Sequence, residues 1–371
     1  MEQDLQARPL GLYIHIPWCL SHCGYCSFFT QAFSRKASDD YFRLLLSEKE
    51  AHLKRGLGEL STVYFGGGTP SLLTYQQISE LLSDLPLAVN AEITMETNPI
   101  QITDSFASEL RKTPVNRLSL GVQSMQDEEL AYLQRKHRAA DIPAKVKLLQ
   151  EAGFDNISGD YIYGLPGSDV QSLDRALKPL LELPLQHISC YLLEIYEDSS
   201  LAPDIALLPG DDALAQQYYR MRELAIEAGF AQYEISNFAR PGFESRHNLL
   251  YWQGDDCLAW GASACGYYKG CRYCHPADLE DYARLIESGE LFAEQDLMAD
   301  AIPDYIMMRL RLIQGLSLNE FQSRFGQDFR AGRQAKLDRL LDLGLIEDDG
   351  EHIRLSEAAL FISNAVIAEL L

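Results

Sequence analysis

The sequence is short of positive charge. Its 32 lysines and arginines stand against 54 aspartates and glutamates, for a formal net charge of −22. Nucleic acid is therefore not expected as a main partner, because phosphate binding needs basic patches. The same deficit argues against direct attachment to anionic lipid, although a local basic pocket for a small anion remains compatible with it. No apolar run approaches the ~20 residues of a membrane span. The opening, MEQDLQARPLGLYIHIP, lacks the apolar stretch of a secretory signal. A cytoplasmic location without a membrane span is expected, where thiols stay reduced. Internal repeats and low-complexity tracts are also missing, which excludes solenoid and fibrous classes.

What is there is an ordinary globular chain of 371 residues, 47% hydrophobic and 23% charged. That is too long for one small domain and too apolar for a disordered chain. Short β-rich runs alternate with helical stretches through the first two thirds. The strand candidates are residues 12–16, 62–65, 92–96, 117–122, 156–163 and 187–193; helical periodicity marks 39–54 and 75–82. Six strands with helical crossovers predict an α/β fold with a parallel sheet, curled as a partial (β/α)6 barrel, with a flat doubly wound sheet left open. The pattern changes near residue 235. The expected division is therefore 1–235 for the barrel and 236–371 for a smaller α+β C-terminal domain. Its last part, about 300–371, reads as a winged-helix-like helical module with a hairpin at 345–355. Without a basic face, that module reads as a packing unit.

Eight cysteines are present: 19, 23, 26, 190, 257, 265, 271 and 274. The densest signal is Cys19-x3-Cys23-x2-Cys26, directly after the first strand candidate. Three thiolates at this spacing suit three irons of a [4Fe–4S] cube and leave one iron without a protein ligand. Zinc is the competing reading, with His22 as a fourth ligand. After the second strand candidate comes Gly66-Gly67-Gly68-Thr69-Pro70, where the lack of Cβ atoms lets a ligand approach the backbone.

Together the cysteine triplet and the glycine run resemble the radical SAM superfamily. Further segments (METNP at 95–99, SLGVQS at 119–124, DYIYGLPG at 160–167, YEISNFAR at 233–240) are similar to its coproporphyrinogen-III-oxidase-like branch, over nearly the whole chain. The resemblance implies a [4Fe–4S] cluster on Cys19, Cys23 and Cys26, and S-adenosylmethionine (SAM) from which a 5′-deoxyadenosyl radical is made. It implies that Tyr13 lies beside the cluster and SAM, that Gly67, Gly68 and Thr69 hold the methionyl end, and that Glu96, Gln123, Arg135 and Asp160 line the amino acid and ribose. Carboxylates suit an ammonium or a ribose diol, and an arginine fork suits a carboxylate. Ordinary surface salt bridging is the alternative for Arg135.

Two groups divide the branch. The oxygen-independent coproporphyrinogen oxidases carry another cysteine two residues after the third; this chain has Phe28 there, and its cluster motif begins at residue 19 without their long extension. Both features, and His247-Asn-Leu-Leu-Tyr251-Trp252, resemble the heme chaperones of the branch, which bind heme and deliver it to respiratory proteins. The resemblance thus implies heme as cargo, heme-accepting proteins as partners, and His247 as a heme ligand. A structural role for His247 and an oxidase that decarboxylates coproporphyrinogen III to protoporphyrinogen IX are the alternatives. A homodimer is left open.

Some features stand outside this pattern. Cys265 falls where related proteins carry a histidine. Cys271-Arg-Tyr-Cys274-His275 spells a covalent heme string that export-dependent attachment makes unsuitable here. A second metal site drawn from Cys257, Cys265, Cys271, Cys274 and His275 is a further option. Cys190 reads as a small core residue.

Overall fold

The computed structural model describes residues 9–197, 199–291, 294–296 and 301–371. Six strands form its centre: β1 (Leu10–Ile16), β2 (Leu60–Gly67), β3 (Leu87–Thr97), β4 (Arg117–Gln123), β5 (Ile157–Tyr163) and β6 (His187–Leu192). They pair in parallel and in chain order, each with the next. A doubly wound sheet has a switch point where strand order reverses. None occurs among these six, so the sheet curls one way, as a barrel does. The crossovers carry α1 (Arg35–Lys54), α2 (Tyr75–Leu82), α3 (Asp104–Leu110), α4 (Asp127–Tyr132), α5 (Ile142–Glu151) and α6 (Val170–Leu181).

Alternation along the strands sorts the two faces. On β1, Leu10, Leu12, Ile14 and Ile16 are buried in the main apolar core, as are Val63 and Phe65 of β2 and Leu118, Leu120 and Val122 of β4. Each such side chain removed from water contributes about 1.5–3 kcal/mol. The opposite phase is polar: Tyr13 and His15, Thr62 and Tyr64, Arg117 and Ser119, Ser158 and Asp160, His187 and Ser189. Contacts across neighbouring strands show that this phase faces one interior. Tyr13 stacks on Tyr64, Ser119 donates to Asp160, and Ser158 hydrogen-bonds to His187.

The sheet does not stop at residue 235. After α7 (Asp211–Glu227), β7 (Asn237–Ala239) adds antiparallel to β6. After α8 (Arg246–Gln253), β8 (Asp256–Trp260) adds parallel to the outer edge of β1. Then β9 (Cys265–Tyr268), β10 (Cys271–Cys274) and β11 (Glu294–Asp296) extend that edge as a meander. The barrel is therefore open between β1 and β6, and both edges are continued by later sequence. Beyond α9 (Leu279–Ser288), four helices, α10 (Ala301–Arg309), α11 (Leu318–Phe325), α12 (Gln334–Asp342) and α13 (Ser363–Leu370), accompany a small sheet of Leu316–Ser317, Ile346–Asp348 and His352–Leu355. No helix among the described residues is long and apolar enough to cross a membrane.

The residues of the optional second metal site are engaged otherwise here. Cys265 and Cys274 are register partners on β9 and β10, with Cα atoms 4.1 Å apart, and they form a disulfide. A disulfide sulfur is not a thiolate ligand. Cys257 is buried under Tyr251, and the two ring nitrogens of His275 lie 3.1 Å from the carbonyls of Gly261 and Leu291, one N–H donating. Among the described residues these groups converge on no single ion position.

Candidate functional site

The loop after β1 carries the three cysteines. It is closed by a two-residue parallel bridge, Trp18–Cys19 with Gln31–Ala32. The Gln31 amide donates to the Pro17 carbonyl and the Cys26 amide to that of Cys23. Cys19, Cys23 and Cys26 are all half-buried free thiols at one end of a cavity of about 560 Å³. Burial raises Cys19 and pushes Cys26 up to about 11. A guanidinium N–H of Arg135 donates to Cys23 Sγ at 3.4 Å.

Gly67, Gly68, Thr69, Glu96, Gln123, Arg135 and Asp160 line the same cavity. Seven residues from five separate stretches of chain thus meet the cysteines. Glu96 accepts from the Tyr64 hydroxyl (3.0 Å) and the Gly67 amide (3.2 Å); burial, then the charge of Asp160, raises its carboxyl to about 7. Asp160 accepts from Ser119 at 3.1 Å, and burial raises it as well. Arg135 is not a surface charge: it donates to the Gly121 carbonyl at 2.7 Å, while its Nε is buried without a hydrogen-bond partner. Gln123 holds a left-handed backbone, φ 68°, at the end of β4. Such strain in a non-glycine residue is concentrated at functional sites.

Two expected residues stand apart. Tyr13 lies behind the glycine loop, where its ring comes within 2.7 Å of the Cβ position of Gly66 and its hydroxyl bonds to His15 Nδ1. His247 lies at the barrel floor, 2% exposed and outside the cavity lining. Its Nδ1 bonds to Thr62 Oγ1 at 2.8 Å, its Nε2 faces Cys257 Sγ at 3.8 Å, and its ring stacks on Tyr64. Burial pushes it down to about 3, so the imidazole is neutral. As arranged, both ring nitrogens are engaged, and neither offers a site for iron.

Other lining residues were not singled out from the sequence, notably Arg117, Ser119, Tyr191, Arg311 and Phe361. The first two had a signal. Arg117, Ser119, Gly121 and Gln123 occupy alternate positions of β4, and all four line the cavity. The residues from the C-terminal region had none, because they reach the site through the open side of the barrel.

Both implied groups fit these residues. Three half-buried thiols beside a guanidinium are a donor set for a cluster of net negative charge, and the orphaned Nε of Arg135 is a vacant donor for the carboxylate of SAM. The curled parallel sheet, with a thiol loop after its first strand and a glycine loop after its second, defines the class: the Radical SAM superfamily model matches residues 13–180 and a HemN C-terminal domain model matches 299–362. Membership implies a [4Fe–4S] cluster and SAM. Within that class the chain belongs to the family of heme chaperone HemW. It is 31% identical to Heme chaperone HemW of Lactococcus lactis over 98% of both chains, and 32% identical to Heme chaperone HemW of Escherichia coli over 97% of both. The fold matches that of coproporphyrinogen III oxidase (HemN) from Escherichia coli with a TM-score of 0.85, at 23% identity, over 98% of this chain and 90% of that one.

Proposed function

We propose that this chain is a cytoplasmic heme chaperone, which binds heme and passes it to heme-requiring respiratory proteins from a radical SAM scaffold. The observation that carries this reading is similarity to HemW proteins along essentially the whole chain, cluster loop included. Phe28 supports it: it is 64% exposed at the cavity rim, where the oxidase pattern has a further cysteine.

In this reading Cys19, Cys23 and Cys26 would hold the cluster, which would supply one-electron chemistry to SAM. The residues around it have separable tasks. Arg135 fixes the carboxylate of SAM through its free Nε. Gly67, Gly68 and Thr69 present backbone to its methionyl end. Glu96 offers a buried carboxylate to its ammonium, and Gln123 and Asp160 face its ribose. Tyr13 supports the glycine loop from behind. For His247 to ligate heme, α8 must first leave the barrel floor and break the bond to Thr62.

An anaerobic heme titration of cluster-reconstituted protein, followed in the Soret region, tests the reading. Saturable binding near one heme per chain is expected, and its absence would sink the chaperone. The cavity, with walls from the C-terminal region, favours a second reading, oxidation of coproporphyrinogen III. Protoporphyrinogen formed under reducing, anaerobic conditions would replace the chaperone-only view with that one.

A further inference from the structure

The cavity has a second end that SAM does not explain. Away from the cysteines its walls are Arg117, Tyr218, Arg311, Phe361 and Asn364. Arg117 opens β4, deep in the barrel, and is 2% exposed. Its Nε is buried without a hydrogen-bond partner.

Burying a guanidinium without a partner is costly, because desolvation is not recovered. The groups facing Arg117 leave its Nε–H without an acceptor. Asp160 accepts from the Ser119 hydroxyl, and the charge of Arg117 favours its ionised form, but no hydrogen bond joins the two side chains. Glu96 is held by Tyr64 and Gly67, and Glu234 by the Ser236 amide and Asn237. The remaining neighbours are neutral: His187 bonds to Ser158 and Tyr233, and His247 to Thr62. Arg311 enters from the other side, donating to Asn364 at 2.7 Å and lying 5.7 Å from the Trp252 ring. The cavity of a strongly acidic protein is thus lined by two arginines and by the rings of Tyr218 and Phe361.

We propose that this end is a carboxylate site, in which Arg117, assisted by Arg311, anchors the propionates of a tetrapyrrole whose macrocycle lies against the aromatic walls. This rests on the heme reading and adds where, and by which group, the ligand is oriented. The propionates are common to heme and to the metal-free porphyrin, so recognition here does not depend on iron.

The test is equilibrium binding of three probes to cluster-reconstituted protein: hemin, protoporphyrin IX, and hemin dimethyl ester, whose propionates carry no charge. Wild type is expected to prefer both free acids over the ester. Arg117→Met should weaken both acids by about 10- to 100-fold, the range of a charge-assisted hydrogen bond, and leave the ester unchanged. Arg117→Lys should recover part of the loss, and Arg311→Met should give a smaller loss in the same direction. Melting curves of Arg117→Met and Arg117→Lys show whether each variant is folded before its binding is compared. Equal weakening of acids and ester, or no weakening of either acid, would overturn the proposal while leaving the heme reading intact. A wild type that binds hemin without preferring acid over ester does the same. A wild type that binds none of the probes removes both.

Discussion

Glu96 carries the most legible chemistry of the site at the scale of one residue. Burial raises its carboxyl to about 7, with Asp160 adding to the rise and hydrogen bonds from Tyr64 and Gly67 opposing it. A cationic ammonium binds the ionised form, so SAM affinity should fall as pH drops through 7. With a carboxyl at about 7, the ionised fraction changes about tenfold between pH 8 and pH 6. Calorimetric titration at the two pH values should show a loss of that order, beyond any loss seen in Glu96→Gln. Identical profiles for wild type and variant would remove Glu96 from ammonium binding. Glu96 and Asp160 were readable because a carboxylate at a strand end is conspicuous in a β/α sequence. Arg117 was not, since an arginine opening a strand reads as a surface charge. Only the shared phase with Ser119, Gly121 and Gln123 turns it inward. His247 shows another limit: motif resemblance marks a residue but not the direction its ring faces.

The glycine loop shows how one element can be foreseen for an incomplete reason. An open approach for ligand was the expected use of its missing Cβ atoms. The structure adds a demand from behind. A Cβ on Gly68 would lie 2.8 Å from the Trp18 carbonyl, at the start of the cysteine loop, and 3.0 Å from that of Ile16, at the end of β1. Gly67 sits at φ 108° with the His15 ring within 2.7 Å of its Cβ position. Gly68→Ala should therefore push the cysteine loop away, destabilise the protein by about 1–3 kcal/mol, and lower the iron retained after reconstitution. Normal iron content and melting in that variant would mean that the two loops are not in rigid register. The central strands were legible because each buries an alternating apolar face. The start of β3 was not, since Leu87–Asn90 are half-buried or exposed and give no such signal. The return of β8 to the edge of β1 is a pairing across more than two hundred residues, which local pattern does not encode.

Across the whole molecule, Glu48 links the barrel to its late-sequence edge. It lies on α1, fully buried, and accepts from the Gly261 amide at 3.0 Å and the Tyr282 hydroxyl at 2.6 Å, with His275 Nδ1 3.5 Å away. Burial raises its carboxyl from the usual 4.5 to about 7, against the pull of His275 and both hydrogen bonds. Between those values the folded chain holds a proton that the unfolded chain has released. The favourable contribution is complete below pH 4.5 and is lost as pH climbs through 7, so at pH 8 the buried carboxylate works against folding. Glu48→Gln keeps an acceptor for Gly261 and Tyr282 but cannot ionise. It should be more stable than wild type at pH 8, by on the order of 1–3 kcal/mol, and the gap should narrow towards pH 5. Melting curves of both proteins across this range decide the matter. A variant that melts lower at pH 8 would mean that Glu48 is ionised in the folded chain, and that its charge rather than its proton joins the two halves of the sheet.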